Sequence, residues 1–450
     1  MPLKLLYKPI YRIYRATSGV WYWTCRRFTF AGMAAVAACM VCAAVGVDIE
    51  NTVTYQSFAL LLAMVLFAFG CSFFFRAKFS VERLLPRVGT AGLPLHYRVR
   101  VKNLTAKNQA GLTLMDNLAD PWPGFNDWLA FELAEGRRVR PFRVAQQRSQ
   151  NPFRQARLKE GLIPPMPARG EAEAQMELFP VRRGVLHLTG LTVARPDPLG
   201  LFRSFVRIVA PQTVLVLPRR YPLPSIALPG AMRYQKGGVA LAAHVGSSEE
   251  FVALRDYRHG DPLRHIHWRS WAKSGKPIVK EFEDEFFVRH ALVLDTFDEE
   301  PNSEVLEEAV SVAASFACTI LTQESLLDLL FVGNRSYCFT AGRGIAHADQ
   351  MLEILASVKN CADTPFNQLE HLVLNHVSGV SGCICVLQRW DEARRNFIGK
   401  LKALGVPLLL LMIVRPGGTV PGAAGSPLDS PVPLHVLEVG KIEEGLRKLQ

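Results

Sequence analysis

The stretch HALVLDTFDEEPNSEVLEEAVSVAASFACTILTQ, residues 290–323, contains a short apolar run followed by a longer run with many apolar residues. The short run, HALVLD, is typical of a buried strand and ends in Asp295. The long run has Asn302 or Ser303 as its N-cap and acidic residues in its first turn, which predicts a helix. A buried strand followed by a helix predicts the first unit of an α/β sheet.

The remainder of the chain continues this alternation. Three further apolar runs suit strands of a sheet covered on both faces: LLDLLFVG, GCICVLQ and VPLLLLMIV. Helices are predicted between them over MLEILASV and DEARRNFIGKLKAL, and the last strand is LHVLEV, after a long flexible loop at residues 416–431. We therefore expect residues 289–450 to form an open-sheet α/β domain, whose ligands would bind at the carboxyl ends of the strands.

Upstream, residues 79–218 predict an all-β, sandwich-like domain of short strands broken by Gly and Pro. In LHYRVRVKN, residues 95–103, apolar and polar side chains alternate as in a half-buried strand. RPDPLGLF, residues 195–202, predicts a turn in which Gly200 takes the unusual backbone conformation. Residues 219–248, rich in Pro, Gly and small side chains, are expected to be a connector.

Residues 249–288, the polar segment, contain DYRHGDPLRHIHWRSWAKSGKPIVKEFEDE. Asp261 as N-cap, Pro262 at the first helical position and Gly275 at the end predict a helix, followed by a strand. Two tryptophans are costly to leave in water, so we expect Trp268 or Trp271 to be buried against the α/β domain. The candidate partner-binding residues are Arg255, Asp256, Arg258, Asp261, Arg264, His267, Trp268, Arg269 and Lys273.

Three explanations of the polar segment are open. Its cations could pair with the acids Glu281, Glu283, Asp284 and Glu285, or its surface could bind a partner or lipid. A metal site would use His259, Asp261, His265 and His267. On a helix, however, His265 and His267 would point to opposite sides. The chain has no GxSxG or HExxH sequence.

A second candidate metal site lies in the α/β domain. Asp295 and Asp298 follow the first strand, and Asp391 follows a later one. Carboxylates placed there could hold Mg²⁺ together with waters. The alternative is that these acids cap helices and interact with helix dipoles.

Two apolar runs near the amino terminus, residues 28–47 and 58–75, have the length of membrane spans. Basic residues lie in residues 1–27 and after residue 75, and the loop DIENTVTYQS between the runs has none. This bias predicts a transmembrane hairpin with both termini in the cytoplasm. The long charged lead and the second run argue against a cleaved signal peptide. The flanking charges account for much of the net charge of +12, so no nucleic-acid partner is predicted.

The two spans, the RPDPLGLF turn and LRDYRHGDPLRHIHWRSWAKSGKPIVKEFEDE together resemble the bacterial domain-of-unknown-function family fifty-eight. The carboxy-terminal region resembles the von Willebrand factor A domain that follows in that family. In such domains a metal-ion-dependent adhesion site begins with Asp-x-Ser-x-Ser. Here the run is DTFDE, in which Asp295 matches while Phe297 and Glu299 replace the serines. The family is similar to proteins encoded near MoxR-type AAA+ ATPases, which implies a role in assembling or maturing other proteins.

The expected function is a non-enzymatic adaptor or scaffold, multi-pass in the bacterial inner membrane, acting with a MoxR-type AAA+ ATPase. Its expected partners are that ATPase, other von Willebrand A or membrane proteins, and the lipid bilayer. No cofactor is expected beyond Mg²⁺ at the degenerate adhesion site. The alternative is a metal-dependent hydrolase using Asp295, Asp298 and Asp391, or the histidines near residue 260.

Overall fold

The computed structural model describes residues 2–45, 52–72, 75–119, 122–138, 153–224, 251–261, 263–282, 289–298, 303–322, 326–341, 345–361, 364–418 and 434–449. The chain divides into two compact units. The first comprises Met1–Arg219, Asp298–Glu307 and Leu352–Asn360, and the second comprises Arg220–Phe297, Glu308–Met351 and Cys361–Gln450. Most of the expected connector and of the 416–431 loop lies outside the described residues, as does Asn302.

The first unit begins with three helices: α1 Pro2–Arg27, α2 Phe30–Val45 and α3 Thr52–Ser72. Helix α1 was not predicted, because the sequence of residues 1–27 indicated only a basic segment. The helical structure is interrupted between α1 and α2. Thr29 lies in this interruption, and its side-chain oxygen accepts a hydrogen bond of 3.0 Å from the Gly32 N–H. Thr29 therefore caps α2. Helices α2 and α3 are in contact.

The membrane prediction is confirmed only in its coarser form. Within the described ranges, Val53–Ser72 is the one helical segment long and apolar enough to cross a bilayer. Helix α2 has 16 residues, fewer than the roughly 20 needed to cross the hydrocarbon core. Against the predicted spans 28–47 and 58–75, the described helices cover Phe30–Val45 and Thr52–Ser72, so the second helix begins earlier than predicted.

Two sheets follow in the first unit. Their strands are β1 Phe79–Leu84, β2 Val88–Thr90, β3 Leu95–Asn103, β4 Leu112–Leu118, β5 Ala156–Lys159, β6 Gly161–Ile163, β7 Glu171–Pro180, β8 Gly184–Pro196 and β9 Arg203–Leu217. One sheet has the order β1-β3-β7-β5 and the other β2-β9-β8-β4-β6. Val99 and Leu178 of the first sheet share a buried cluster with Leu114 and Val193 of the second, so the sheets enclose a common core.

Individual predictions in this region had different outcomes. In β3 the side chains of Tyr97, Val99 and Val101 are buried and their neighbours exposed, so the alternating strand is confirmed. The expectation that residues 79–218 are all-β is wrong in one place, because helix α4 covers Phe125–Arg138. Phe125 and Trp128 of α4 contact the Tyr11 ring of α1, and this packing helps to stabilise the helix.

The RPDPLGLF turn is confirmed and has a role that was not predicted. The Asp197 carboxylate accepts hydrogen bonds from the Leu199 N–H at 3.0 Å and the Phe202 N–H at 2.6 Å, and Gly200 has φ +68°. The turn packs between α2 and α3. Leu201 and Phe202 form a buried cluster with Ala68, and the Leu201 carbonyl accepts from the Thr29 N–H at 3.1 Å.

The chain from residue 251 onward contains β10 Phe251–Asp256, α5 Trp268–Ser274, β11 Ile278–Phe282, β12 Arg289–Leu294, α6 Glu304–Thr322, β13 Leu326–Val332, β14 Ser336–Ala341, α7 Ile345–Ser357, α8 Asn367–His376, β15 Gly382–Leu387, α9 Glu392–Ala403, β16 Leu408–Val414, β17 Leu434–Glu438 and α10 Ile442–Leu446. The predicted strands over HALVLD, LLDLLFVG, GCICVLQ, VPLLLLMIV and LHVLEV are confirmed, as are the helices α6, α7 and α9. Helices α8 and α10 were not predicted.

These strands form a six-stranded sheet in the order β14-β13-β12-β15-β16-β17. All pairs are parallel except β13 with β14. The buried side chains of Val293 and Cys385 pack with Phe397 of α9 and Leu369 of α8 on one face. Strand order reverses beside β12, so its carboxyl end is the point where an open sheet of this kind usually binds ligands.

Candidate functional site

The carboxyl end of β12 is occupied by an ion pair. The Arg394 guanidinium donates two hydrogen bonds to the Asp295 carboxylate, with Nε–Oδ2 at 3.0 Å and Nη2–Oδ1 at 3.1 Å. The backbone N–H groups of Phe297 and Gln388 donate to the same carboxylate at 3.1 and 3.3 Å. Both charged side chains are buried. The acceptor sites of Asp295 are therefore filled by the protein itself.

Asp391 is drawn into the same cluster through Arg394. It is the N-cap of α9, accepting a hydrogen bond from the Arg394 N–H at 3.0 Å, and it also forms an ion pair with the Arg394 guanidinium. This confirms the interpretation of Asp391 as a helix cap. The guanidinium lies 4.4 Å from the centre of the Phe366 ring, a cation–π distance.

Burial and charge act in opposite directions on this pair. Burial raises the pKa of the Asp295 carboxyl, and the charge and hydrogen bonds of Arg394 act against that rise. Burial alone would lower the pKa of Arg394, but the carboxylates of Asp295 and Asp391 outweigh it, so the net direction is upward. Arg394 is thus the permanent cation of the site.

The predicted Mg²⁺ ligands do not form an open carboxylate cluster. Asp295 and Asp391 both bind Arg394, Asp298 is buried, and Glu299 lies outside the described residues. In the part of the chain that is described, no group of three or more His, Cys, Asp or Glu side chains could hold a metal ion. Sequence reasoning missed Arg394, although it lies three residues after Asp391 at the start of a predicted helix.

The polar segment forms an antiparallel hairpin of β10 and β11. The connection after β10 is closed by Asp261, whose carboxylate accepts two hydrogen bonds from the Arg255 guanidinium at 2.7 and 2.9 Å and one from the Arg258 N–H at 2.8 Å. The Arg255 and Arg258 hydrogen bonds lower the pKa of the Asp261 carboxyl to about 2. Asp261 therefore holds a loop together.

The predicted helix in this segment is wrong at its start and right at its end. Helix α5 begins at Trp268 rather than after Asp261, and a short 3₁₀ turn covers Leu263–His265. The N-cap position of α5 is His267, and the Asp261 carboxylate instead binds Arg255 and the Arg258 N–H. Gly275 ends the helix with φ +71°, as predicted.

The tryptophans of α5 stack on each other. The ring centroids of Trp268 and Trp271 are 5.2 Å apart and their planes differ by 19°. Trp268 is 64% exposed and Trp271 is half-buried. The prediction that one of them is largely buried against the α/β domain is therefore wrong. Stacking lets each ring cover part of the other, which reduces the apolar area left in water.

The candidate partner-binding side chains differ in exposure. Exposed side chains are Asp256, Arg258, Trp268, Arg269 and Lys273, half-buried ones are Arg255, Asp261 and His267, and the side chain of Arg264 lies outside the described ones. The candidate histidines do not gather around a metal: His259 is exposed, and His267 Nδ1 lies 2.6 Å from Ser270 Oγ. The acids Glu283, Asp284 and Glu285, and the side chain of Glu281, lie outside the described part, so their pairing stays a prediction.

In the comparison with known proteins, the polar segment and part of the α/β region match a protein family. Residues 253–374 match the family model described as "Protein of unknown function DUF58". The uncharacterized protein YeaD of Bacillus subtilis (strain 168) is 28% identical over 196 residues, which are 43% of this chain and 47% of that protein. The chain thus matches about half the length of this relative.

Solved structures add little. The CARDB domain of PF1109 from Pyrococcus furiosus is 14% identical, covering 31% of this chain and 94% of that one at a TM-score of 0.18. A cohesin module from a family 33 glycoside hydrolase of Clostridium perfringens is 10% identical, covering 31% and 98% at a TM-score of 0.16. These scores establish neither a common fold nor a common function. The comparisons establish a match to the DUF58 family model that covers the β10–β11 hairpin and strands β12, β13 and β14 of the six-stranded sheet.

Proposed function

We propose that the protein is a non-enzymatic, membrane-anchored adaptor that acts with a MoxR-type AAA+ ATPase in the assembly or maturation of protein complexes. The observation that carries this proposal is the bidentate contact of Arg394 with Asp295. At the carboxyl end of β12, where a catalytic cation or ligand would be expected, an internal cation saturates the carboxylate. This arrangement favours a rigid binding domain over a metal enzyme.

The surface proposed for the partner is the α5 surface, made of Trp268, Trp271, Arg258, Arg269 and Lys273. It combines a stacked aromatic pair, in which Trp268 is exposed and Trp271 half-buried, with exposed cations. Tryptophan and arginine dominate the binding energy of many protein interfaces because they bury a large area and make directional polar contacts. The cations favour a partner whose contact surface is acidic.

The proposed anchor includes α2 as well as α3. Residues 28–75 contain two acids and no Lys or Arg, whereas Lys and Arg are abundant on both sides. The positive-inside bias supports a bacterial inner-membrane hairpin with both termini in the cytoplasm. We propose that α2 also crosses the membrane, and that residues next to it in sequence complete the length that a crossing needs. The order of the six-stranded sheet, with Asp295 after its first strand, supports assigning a von Willebrand A-like domain.

The choice of a MoxR-type ATPase, and of other von Willebrand A or membrane proteins as further partners, rests on the family resemblance of the sequence. Its test is co-purification of the full-length protein from native membranes with that ATPase. The pair Trp268→Ala and Arg258→Glu should reduce the recovered ATPase. The matched pair Leu404→Ala and Arg395→Glu, exposed positions in and beside α9, should not. Equal recovery with both pairs would contradict the proposed surface.

The alternative, a metal-dependent hydrolase, would require the Asp295 carboxylate to leave Arg394. No observation on the described residues favours that change. Measuring the metal content of the purified protein distinguishes the two functions, since the hydrolase would need bound metal and the adaptor would not.

A further inference from the structure

Helix α1 has one face that is fixed to the rest of the first unit. Tyr11 contacts the rings of Phe125 and Trp128 at centroid distances of 5.4 and 5.5 Å, and Tyr14 stacks on Trp128 at 5.9 Å. The Tyr11 hydroxyl donates a hydrogen bond of 2.8 Å to the Pro123 carbonyl. These contacts to α4 and to Pro123, which precedes it, set the rotation of α1 about its axis.

That rotation leaves an apolar face of α1 without a covering. Ile13, Val20 and Trp21 are 63%, 64% and 68% exposed, and Ile10 is 48% exposed. Spacings of three, seven and one residues place these side chains along one side of a helix. A row of large exposed apolar side chains on a single helix is unusual for a surface that faces water alone.

The charge of α1 indicates what covers this face. Residues 1–47 contain no acidic residue. Lys8, Arg12 and Arg15 are exposed, and by helical spacing they lie on a different side from the apolar row. Apolar and aromatic side chains on one face with lysine and arginine beside them are the pattern of a helix that lies in an anionic lipid surface.

The position of α1 in the chain fits the same partner. One residue pair, Phe28 and Thr29, separates it from α2, and it belongs to the same compact unit as α3. At 26 residues α1 is too polar to cross a bilayer, and at about 39 Å it can extend along the surface. Trp21 and Trp23 lie at the end of α1 near α2, where interfacial tryptophans are expected.

We propose that α1 is an in-plane interfacial helix, which binds an anionic lipid surface through Ile10, Ile13, Val20 and Trp21 while its tyrosine face holds α4. This inference rests on the proposed membrane anchoring. It gives the first unit a second, electrostatically tuned attachment to lipid, and it fixes the β-sandwich close to the membrane through α4.

The test places a photoreactive benzophenone amino acid at Ile13 of the full-length protein, or at Leu104 as a control. Leu104 is 51% exposed in a loop of the same unit. Each protein is reconstituted into vesicles of phosphatidylcholine containing phosphatidylglycerol, irradiated and examined for lipid adducts by mass spectrometry. A carbonate wash of parallel samples shows whether the protein is integral. A third protein carries the Ile13 probe together with Arg12→Glu and Arg15→Glu.

The expected result is a lipid adduct at position 13 and none at position 104, with loss of the adduct when the two arginines are replaced. No lipid adduct at position 13, or an adduct to a second copy of the chain or another protein, would overturn the inference. If the protein resists carbonate extraction but forms no lipid adduct, the integral anchor is supported and the in-plane helix is rejected. Removal by carbonate with the adduct would reject the integral anchor and keep the in-plane helix.

Discussion

Arg394 donates through Nε and Nη2 to both carboxylate oxygens of Asp295, although 99 positions separate the two residues in sequence. The contact joins the end of β12 to the first turn of α9. It converts a position suited to a metal or ligand into a closed ion pair. Whether this pair is structural can be measured directly.

Replacing Arg394 by Met should destabilise the protein strongly. The change leaves the buried Asp295 carboxylate without its cation, and removing one partner of a buried pair costs about 3–5 kcal/mol. Urea denaturation of wild type and variant measures the free energy of unfolding. Arg395→Met is the control, because Arg395 is exposed and should change the free energy by less than about 0.5 kcal/mol. Equal stabilities of the Arg394→Met variant and wild type would show that the pair has no structural weight.

Magnesium should leave the stability of the wild-type protein unchanged. A native-state site would add about 2.7 kcal/mol at a concentration 100 times its dissociation constant, whereas Asp295 here is saturated by Arg394 and two backbone N–H groups. Thermal unfolding with and without Mg²⁺, and after chelator treatment, checks this. An Mg²⁺-dependent rise in stability that disappears in Asp295→Ala would restore the metal site and the hydrolase alternative.

The sequence predicted local structure better than it predicted contacts. The strands over HALVLD and LHYRVRVKN follow from patterns within a few residues, and both are confirmed. Asp295 was placed correctly at the end of β12, but its partner comes from a helix far along the chain. Periodicity carries no information about such a contact. The predicted start of α5 was wrong for a similar reason. Asp261 has the right chemistry for a helix cap, but its carboxylate binds Arg255 instead.

Gly32 should be intolerant of a side chain. A Cβ atom there would lie 2.0 Å from the Leu201 carbonyl oxygen, since the RPDPLGLF turn contacts the backbone of α2 directly. Gly32→Ala should therefore cost roughly 1–3 kcal/mol through overpacking. Gly70→Ala in α3 is the matched control, because a Cβ atom at Gly70 would meet nothing within 4 Å. Thermal stability in detergent distinguishes the two, and a tolerated Gly32→Ala would mean that the turn does not pack against α2.

The loop closed by Asp261 should open in acid. The pKa of its carboxyl is lowered to about 2 in the folded protein, against about 3.9 in an unfolded chain. Its contribution to stability is therefore complete above about pH 4 and is lost as the pH falls toward 2. The protection of the Arg258 amide, measured by NMR as its hydrogen-exchange rate relative to an unstructured chain at the same pH, should fall over this range. Asp261→Asn should show fast exchange already at neutral pH, and slow exchange in that variant would mean that other contacts hold the loop.

The most direct test of the adaptor proposal is the affinity of the full-length protein, reconstituted in lipid nanodiscs, for the purified MoxR-type ATPase. Trp268→Ala removes an exposed ring that should become buried on binding, and a hot-spot loss of about 2 kcal/mol corresponds to a dissociation constant roughly thirtyfold higher. Leu404→Ala, at an exposed position beyond α9, should leave the constant within about twofold. The account predicts measurable binding that is weakened by the first change and not by the second. Absence of binding by the wild-type protein, or equal affinities of all three proteins, would contradict it.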